Sequence, residues 1–423
     1  MNLTIPCGAR FGCVSAPPSK SDAHRKLICA ALADTPSALR ISDLSDDIAA
    51  TVRCLCALGA SIRKTEGGLS VAPISAPPHS AVLNVGESGS TLRFLLPVCG
   101  ALGVSAQFDL SGRLPQRPME PLFRALWEYG MHITPENGRI FCSGRLRGGT
   151  FSLPGDVSSQ FLSGLLFALP LLEKESTLRV SPPMVSAPYF EMTKQTVSAS
   201  LLRPLFFKES QADGTQSYYV NSSNVYHVSA LLPVEGDWSG AAAFFCMGAL
   251  SESGITVCGL SPDSMQPDRA VLDVLASAGA EIEMTDAAIR VRKGALRAFS
   301  LDAAPCPDLV PVLAVFACAC EGTTRIFHTA RLRQKESDRL SSVSTLINAL
   351  GGIAEVTDDA LLVTGRSLHG GTVSSFSDHR IAFAAAVAAC MADAPVMLEG
   401  AESVRKSYPC FWRDLESLKG ASQ

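Results

Sequence analysis

Six times along the chain a short polar start gives way to a helical stretch that is apolar almost all round. Lys20-Ser21 precedes DAHRKLICAALA, Ser90-Thr91 precedes LRFLLPVCGALG, and Ser158-Ser159 precedes QFLSGLLFALPLL. Trp238-Ser239 precedes GAAAFFCMGALS, Asp308 precedes LVPVLAVFACACEG, and Asp378-His379 precedes RIAFAAAVAACMA. The anchors Ser21, Ser90, Ser158, Ser239, Asp308 and Asp378 lie 69, 68, 81, 69 and 70 residues apart. Nearly equal steps of this kind mark an internal repeat. Each anchor is a residue type that accepts hydrogen bonds from the open N–H groups of a helix start. Helices apolar on every face belong inside a core rather than on a surface.

A second, more amphipathic helix follows each buried one, as in TVRCLCALGASI, PLFRALWEYGMHI, AVLDVLASAGAEI and RLSSVSTLINALGGIAEV. The glycine that closes many of them suits a left-handed C-terminal cap. Short β-branched runs between the helices (TLRVS, GITVCGL, TRIFH, GTVSS) predict strands. The pattern predicts six βα-rich units, each with two helices and several strands. The long step of 81 holds the polar stretch KESQADGTQSYYVNSSN, which reads as a hairpin near the junction of two three-unit halves or, with more in its favour, as an ordinary surface loop without a function.

Composition narrows the functions this pattern can serve. The 423 residues are 47% hydrophobic and 18% charged, a globular composition too long for a single core. The net charge of −4 provides no overall basic field for nucleic acid or an anionic membrane. Aromatics, 7% of the chain, do not alternate with basic residues as on a nucleic-acid platform. No signal-peptide pattern opens the chain and no apolar run reaches membrane-spanning length, so a cytoplasmic protein is expected. The fourteen cysteines sit mostly in apolar helical patterns, and without Cys-x-x-Cys or nearby histidines they read as buried thiols in a reducing compartment rather than zinc ligands. Walker A, Gly-x-Ser-x-Gly and His-Glu-x-x-His motifs are lacking, and no Gly-x-Gly-x-x-Gly follows a strand.

Cations cluster beside the predicted helix starts, where partial positive charge and open N–H groups attract phosphate and carboxylate. Lys20 and Arg25 frame the first start, Arg93 follows the second, and Arg117 lies in RLPQRPMEP. RLRQKESDR supplies Arg331, Arg333, Lys335 and Arg339, Arg380 follows Asp378-His379, and Lys406 stands in VRKSYP. Taken alone, RLRQKESDR reads as an exposed, salt-bridged helix start. Recurrence at matching places in a repeat favours anion binding instead, with Arg for bidentate grip and Lys as a point charge able to move a proton. Asp308 stands open at this point between a helix cap and a catalytic carboxylate, and His379 between a structural and a ligand-touching role.

These same residues carry a resemblance. PPSKSDAHR, GESGSTLRFLLP, RPMEPL, GDVSSQFLSGLL, SAPYFEMT, EGDWSGAAAF, PDLVPVLAV, LRQKESDRL, SDHRIAFAAAV and VRKSYPCFW follow one another in the order of the 5-enolpyruvylshikimate-3-phosphate synthase family, which the chain resembles over essentially its whole length. The resemblance implies an α/β fold of two globular halves, each of three βαβαββ repeats, in the inside-out α/β barrel arrangement of enolpyruvyl transferases. The halves would comprise residues 1–18 with 233–423, closed by the N-terminal strand, and residues 19–232. The active site would lie in the interdomain cleft.

The resemblance also implies roles. Shikimate 3-phosphate would be held by Lys20, Ser21, Arg25, Ser158, Ser159, Gln160, Ser186, Asp308 and Lys335, with Tyr189 near its ring. Phosphoenolpyruvate would be held by Lys20, Gly89, Arg117, Gln160, Arg339, Arg380 and Lys406, Gly89 permitting close backbone approach. The chemistry would be addition of the shikimate 5-hydroxyl to phosphoenolpyruvate, then elimination of phosphate. Asp308 would be the base and Glu336 the acid, assisted by Lys20 and His379. No metal or organic cofactor is implied, the partners are those two small molecules, and a monomer is expected. Glu87, Arg331 and Ala187 depart from common family residues and bear on affinity and on sensitivity to glyphosate. Two alternatives stand beside this reading: an enolpyruvyl transferase acting on UDP-N-acetylglucosamine, though the RLPQRPM loop lacks the usual Cys, and a non-catalytic anion-binding paralogue.

Overall fold

The computed structural model describes residues 1–203 and 208–420. The chain divides into two compact units, Met1–Ser19 with Glu235–Gln423, and Lys20–Val234.

In the Lys20–Val234 unit, three four-stranded sheets repeat one plan: a parallel pair followed by two antiparallel additions. Ser80–Gly86 runs parallel to Ser105–Leu110, which pairs antiparallel with Arg139–Ser143 and then His132–Glu136. Thr150–Pro154 and Ser176–Ser181 repeat this with Gln216–Val220 and Lys208–Ser210. Leu231–Pro233, from the end of the unit, supplies the first strand beside Ser37–Arg40, Gly68–Ala72 and Ser61–Thr65. The long polar stretch forms a hairpin, Lys208–Ser210 with Gln216–Val220, that joins the sheet of Thr150–Pro154 and Ser176–Ser181 and buries Tyr218 and Val220.

The other unit follows the same plan with borrowed ends. Arg10–Ser15 lies parallel to Ile255–Cys258, and Asn2–Ile5 closes the sheet of Gly371–Ser374 and Val396–Glu399. Ser300–Asp302, Thr323–Phe327, Ala360–Thr364 and Ile353–Val356 form the remaining four-stranded sheet.

The six apolar stretches are helices: Lys20–Leu32, Gly89–Leu102, Ser159–Ala168, Trp238–Ala249, Val310–Ala317 and His379–Ala389. Every residue of the Trp238–Ala249 and His379–Ala389 helices is buried, as their all-round apolar pattern demands. Amphipathic partners follow each, among them Asp46–Ala57, Glu120–Glu128 and Arg339–Ala349. Gly59, Gly130, Gly279 and Gly351, placed by the pattern after such helices, all have positive φ.

The caps differ from the anchors in part. Ser158 and Asp378 do cap, but the second and fourth buried helices are capped by Ser88 and Asp237. Ser21, Ser90 and Ser239 lie within the first turn. Asp308 is no side-chain cap either; it sits in the 3-10 turn Pro307–Leu309 that leads into its helix. Cationic side chains draw its carboxylate away from the backbone.

Each unit has its own apolar core. In the unit containing the C-terminal residues, Phe244, Phe383, Tyr408 and Phe411 form an aromatic cluster, with the Phe383 and Phe411 ring centres 4.4 Å apart. The cluster backs the segment that carries Lys406. Phe411→Ala is expected to destabilise this unit by about 3–5 kcal/mol, the usual cost of emptying a buried aromatic site. Equilibrium unfolding in denaturant measures it, and a wild-type midpoint would contradict the packing argument.

Candidate active site

In the Lys20–Val234 unit the predicted residues gather at the starts of buried helices. Lys20 opens the first helix and its Nζ lies 3.1 Å from Asp47 Oδ2. Arg25, one turn on, is buried and donates from Nε to Thr193 Oγ1 (2.8 Å), from Nη1 to the Ser21 carbonyl (2.7 Å) and from Nη2 to the Tyr189 carbonyl (2.7 Å). Two of its five N–H donors thus tie its helix to Ala187–Ala199, and a third bonds within its own helix. Burial pushes the Arg25 pKa down to about 10, Asp22 opposing, so it stays charged at neutral pH.

Ser158 caps the third buried helix by accepting from the Gln160 N–H, with Ser159 buried beside it. Ser186 adopts a left-handed conformation (φ 51°, ψ 35°) just before the helix Ala187–Ala199, which carries Tyr189. Such a backbone is uncommon for a residue with a Cβ and persists only where its surroundings demand it.

Gly89 is the first residue of the second buried helix. A Cβ there would lie 2.6 Å from Arg93 Nη1 and 2.9 Å from Arg117 Nη1. The absent side chain therefore makes room for two guanidinium groups, a reason for glycine beyond the approach of a ligand to the backbone. Glu87 lies against Gly112 in the turn that precedes Arg117.

The other unit holds a denser charged cluster. Arg339, 1% exposed, opens the helix Arg339–Ala349 and meets three carboxylates. Its Nε donates to Asp378 Oδ2 (2.8 Å), Nη1 to Asp308 Oδ1 (2.7 Å) and Nη2 to Glu336 Oε2 (2.9 Å). Burial works against the charge of Arg339, but Asp378, Glu336 and Asp308 outweigh it and raise its pKa well above normal. Asp308 also faces Lys335 Nζ at 3.6 Å and Arg380 Nη2 at 3.4 Å. Burial favours the protonated form of Asp308, yet Lys335, Arg339 and Arg380 together hold its carboxyl well below the usual range. Burial pushes Lys335 down to about 8 despite the pull of Asp308.

Arg380 donates to the Ser239 carbonyl (2.9 Å), and Lys406 Nζ lies 3.9 Å from Glu336 Oε1. His379 is buried in the first turn, its Nδ1 3.6 Å from Asp378 Oδ1 and its ring edge-on to Phe383. Lys335, Arg339 and Arg380 converge on the one carboxylate of Asp308, with Asp237 and Asp268 also acting on Arg380 and Lys406 beside Glu336, so the positive charge is concentrated around Asp308.

The cluster thus brings together Asp308, Lys335, Glu336, Arg339, Arg380 and Lys406, with His379 beside Asp378. The RLRQKESDR run is not a solvated face: Arg339 is buried and Asp338 caps its helix. Sequence reasoning saw Asp378 only as a cap. It is fully buried, and besides capping through the Arg380 N–H (2.9 Å) it accepts from Ser337 Oγ and from Arg339. Asp47 as the partner of Lys20 and Thr193 as the partner of Arg25 carried no local signal. Among the described residues no group of three or more His, Cys, Asp or Glu is placed to hold a metal ion, and no helix is long and apolar enough to cross a membrane.

These features define an α/β protein of repeated units whose buried helix starts gather cations suited to anionic ligands. Residues 9–415 match the family model described as EPSP synthase (3-phosphoshikimate 1-carboxyvinyltransferase). A 3-phosphoshikimate 1-carboxyvinyltransferase of Clostridium kluyveri is 38% identical over 418 residues, covering 97% of this chain and 95% of the relative. The chain belongs to the EPSP synthase family. Among solved structures, an EPSP synthase from Acinetobacter baumannii shares the fold with a TM-score of 0.79 at 21% identity, covering 100% of both chains. The enolpyruvyl transferase NikO from Streptomyces tendae does so with a TM-score of 0.77 at 17% identity, covering 99% of this chain and 98% of its own.

Asp378→Asn keeps the shape but removes a buried negative charge from Arg339, and is expected to cost about 3 kcal/mol of stability. Denaturant unfolding beside the wild type measures this. An unchanged midpoint would mean that Glu336 and Asp308 suffice to hold the guanidinium.

Proposed function

We propose that the protein transfers the enolpyruvyl group of phosphoenolpyruvate to the 5-hydroxyl of shikimate 3-phosphate, as a monomer in the cytoplasm. Family membership over nearly the whole chain supports the reaction. The observation that carries the assignment of residues is Asp308, ionised and set against Lys335, Arg339 and Arg380.

Lys20, Ser21, Arg25, Ser158, Ser159, Gln160, Ser186, Asp308 and Lys335 bind shikimate 3-phosphate. Lys20, Gly89, Arg117, Gln160, Arg339, Arg380 and Lys406 bind phosphoenolpyruvate. Asp308 takes the proton of the 5-hydroxyl as its oxygen forms a bond to C2 of phosphoenolpyruvate, and Glu336 delivers a proton to C3, with Lys20 and His379 assisting. The tetrahedral adduct then loses a C3 proton while its C2–O bond to phosphate breaks, giving the enol ether and inorganic phosphate. Arginines and lysines stabilise the charge on the departing phosphate.

A carboxylate held far below neutrality is a weak base, so the field on Asp308 has to change before it acts. Phosphate and carboxylate arriving on Lys335, Arg339 and Arg380 cancel much of the positive charge that depresses it. Its basicity therefore rises once substrate is in place.

Incubation with phosphoenolpyruvate and shikimate 3-phosphate should release inorganic phosphate. Release with UDP-N-acetylglucosamine in place of the shikimate partner would reassign the acceptor, and release with neither would leave an anion-binding protein. Asp308→Ala is expected to lower turnover by about 10²–10⁴-fold with substrate affinity largely kept, and near-normal turnover would remove it as the base.

The low pKa of Lys335 adds a pH dependence. It is charged below about 8 and neutral above, so kcat/KM for shikimate 3-phosphate should fall as pH rises through that value. Lys335→Arg stays charged and should flatten this limb; an identical limb in both proteins would assign it to another group.

A further inference from the structure

The Gly89–Leu102 and Ser159–Ala168 helices pack so closely that a Cβ on Gly164 would strike the carbonyl of Arg93. That contact fixes Arg93 beside the first turn of the neighbouring helix. Arg93 is buried, with its guanidinium 5.6 Å from the centre of the Phe161 ring. Its Nη1 donates to Gln160 Oε1 at 2.7 Å, and Gln160 Nε2 donates to Ser90 Oγ at 2.9 Å.

A carboxamide has nearly the same shape either way round, but one end accepts and the other donates. Arginine has donors alone. A guanidinium at this distance therefore selects the amide oxygen and turns the NH₂ group the opposite way. The reversed amide would set N–H groups against N–H groups beside a buried positive charge, leaving both unsatisfied. The bonds run in one direction, from Arg93 to Gln160 to the Ser90 oxygen, so the Ser90 O–H hydrogen is available for the next acceptor.

We propose that Arg93 is a positioning residue that locks the Gln160 amide with its NH₂ end turned away from the guanidinium, on the Ser90 side, so that its second N–H serves as a hydrogen-bond donor to the anionic groups of the substrates. This rests on the reading that Gln160 contacts substrate. A neutral donor strengthens the grip on phosphate or carboxylate without adding to the mutual repulsion of the cations. Gly89 belongs to the same device, because a side chain there would displace the Arg93 guanidinium.

The test is the phosphate-release assay on purified full-length variants, with thermal midpoints recorded to show that each is folded. Arg93→Lys preserves a donor-only cation and should keep kcat/KM for phosphoenolpyruvate within about fivefold, whereas Arg93→Gln admits either amide orientation and should lower it about 10- to 100-fold, the scale of a lost charged hydrogen bond. In a Gln160→Ala background, Arg93→Gln should cost no more than about twofold further, because the two act as one unit. Full additivity with an impaired Gln160→Ala would overturn the role of Arg93 while leaving Gln160 in the site. Near-normal kinetics of Gln160→Ala would instead overturn the substrate contact, and the proposal with it. Should Arg93→Gln not fold, Gln160→Glu decides: it puts an acceptor where a donor is required and should be more impaired than Gln160→Ala. Equal or better activity would show that no donor is needed there.

Discussion

The charged cluster depends on Arg339, a guanidinium almost wholly removed from water and held by three carboxylates. An isolated buried charge would be prohibitively costly, and one carboxylate partner would not satisfy its donors. Asp378 engages Nε, Asp308 engages Nη1 and Glu336 engages Nη2. The proposed base and acid are thereby anchored to one rigid planar group, which sets their orientation relative to each other. Asp378, which also reaches Nη2 at 3.4 Å, starts the His379–Ala389 helix and so places Arg380.

The repeat makes such an arrangement possible. A helix that is apolar on all sides buries its first turn along with the rest, and buried N–H groups there need a cap or an anion. Ser88, Ser158, Asp237 and Asp378 supply caps, and Arg or Lys residues follow within a turn or stand in neighbouring loops. Small residues permit the close packing this requires: at Gly164 one helix touches the backbone of another, and at Gly89 two guanidinium groups occupy the space of a side chain. Cations and carboxylates are held there where water screens them little, so each acts strongly on its neighbours and on an arriving anion.

Much of this was legible in the sequence because it rested on spacing. Buried helices, their amphipathic partners and the strands between them follow from periodicities that each segment carries by itself. The family motifs then pointed to the residues found in the clusters. Less could be read where the answer depends on which way a side chain turns. Asp308 remained open between cap and charge because its orientation is decided by Lys335, Arg339 and Arg380, from other segments. Ser88 and Asp237, rather than Ser90 and Ser239, cap their helices, a shift of two residues that pattern alone does not resolve. The Arg93–Gln160 bond joins residues 67 apart, and nothing local announces it.

Asp308 stands in the field of Lys335, Arg339 and Arg380, which the proposed binding of anionic substrates would largely cancel. Carbon-13 NMR of aspartate-labelled protein, with Asp308→Asn to assign the signal, measures its carboxyl pKa directly. The expected value lies well below the ordinary aspartate pKa of about 3.9 in the free protein and rises when phosphoenolpyruvate and shikimate 3-phosphate are added to a slowly turning-over variant such as Glu336→Gln. An ordinary value in the free protein, or one that ignores the added anions, would contradict that effect of the field.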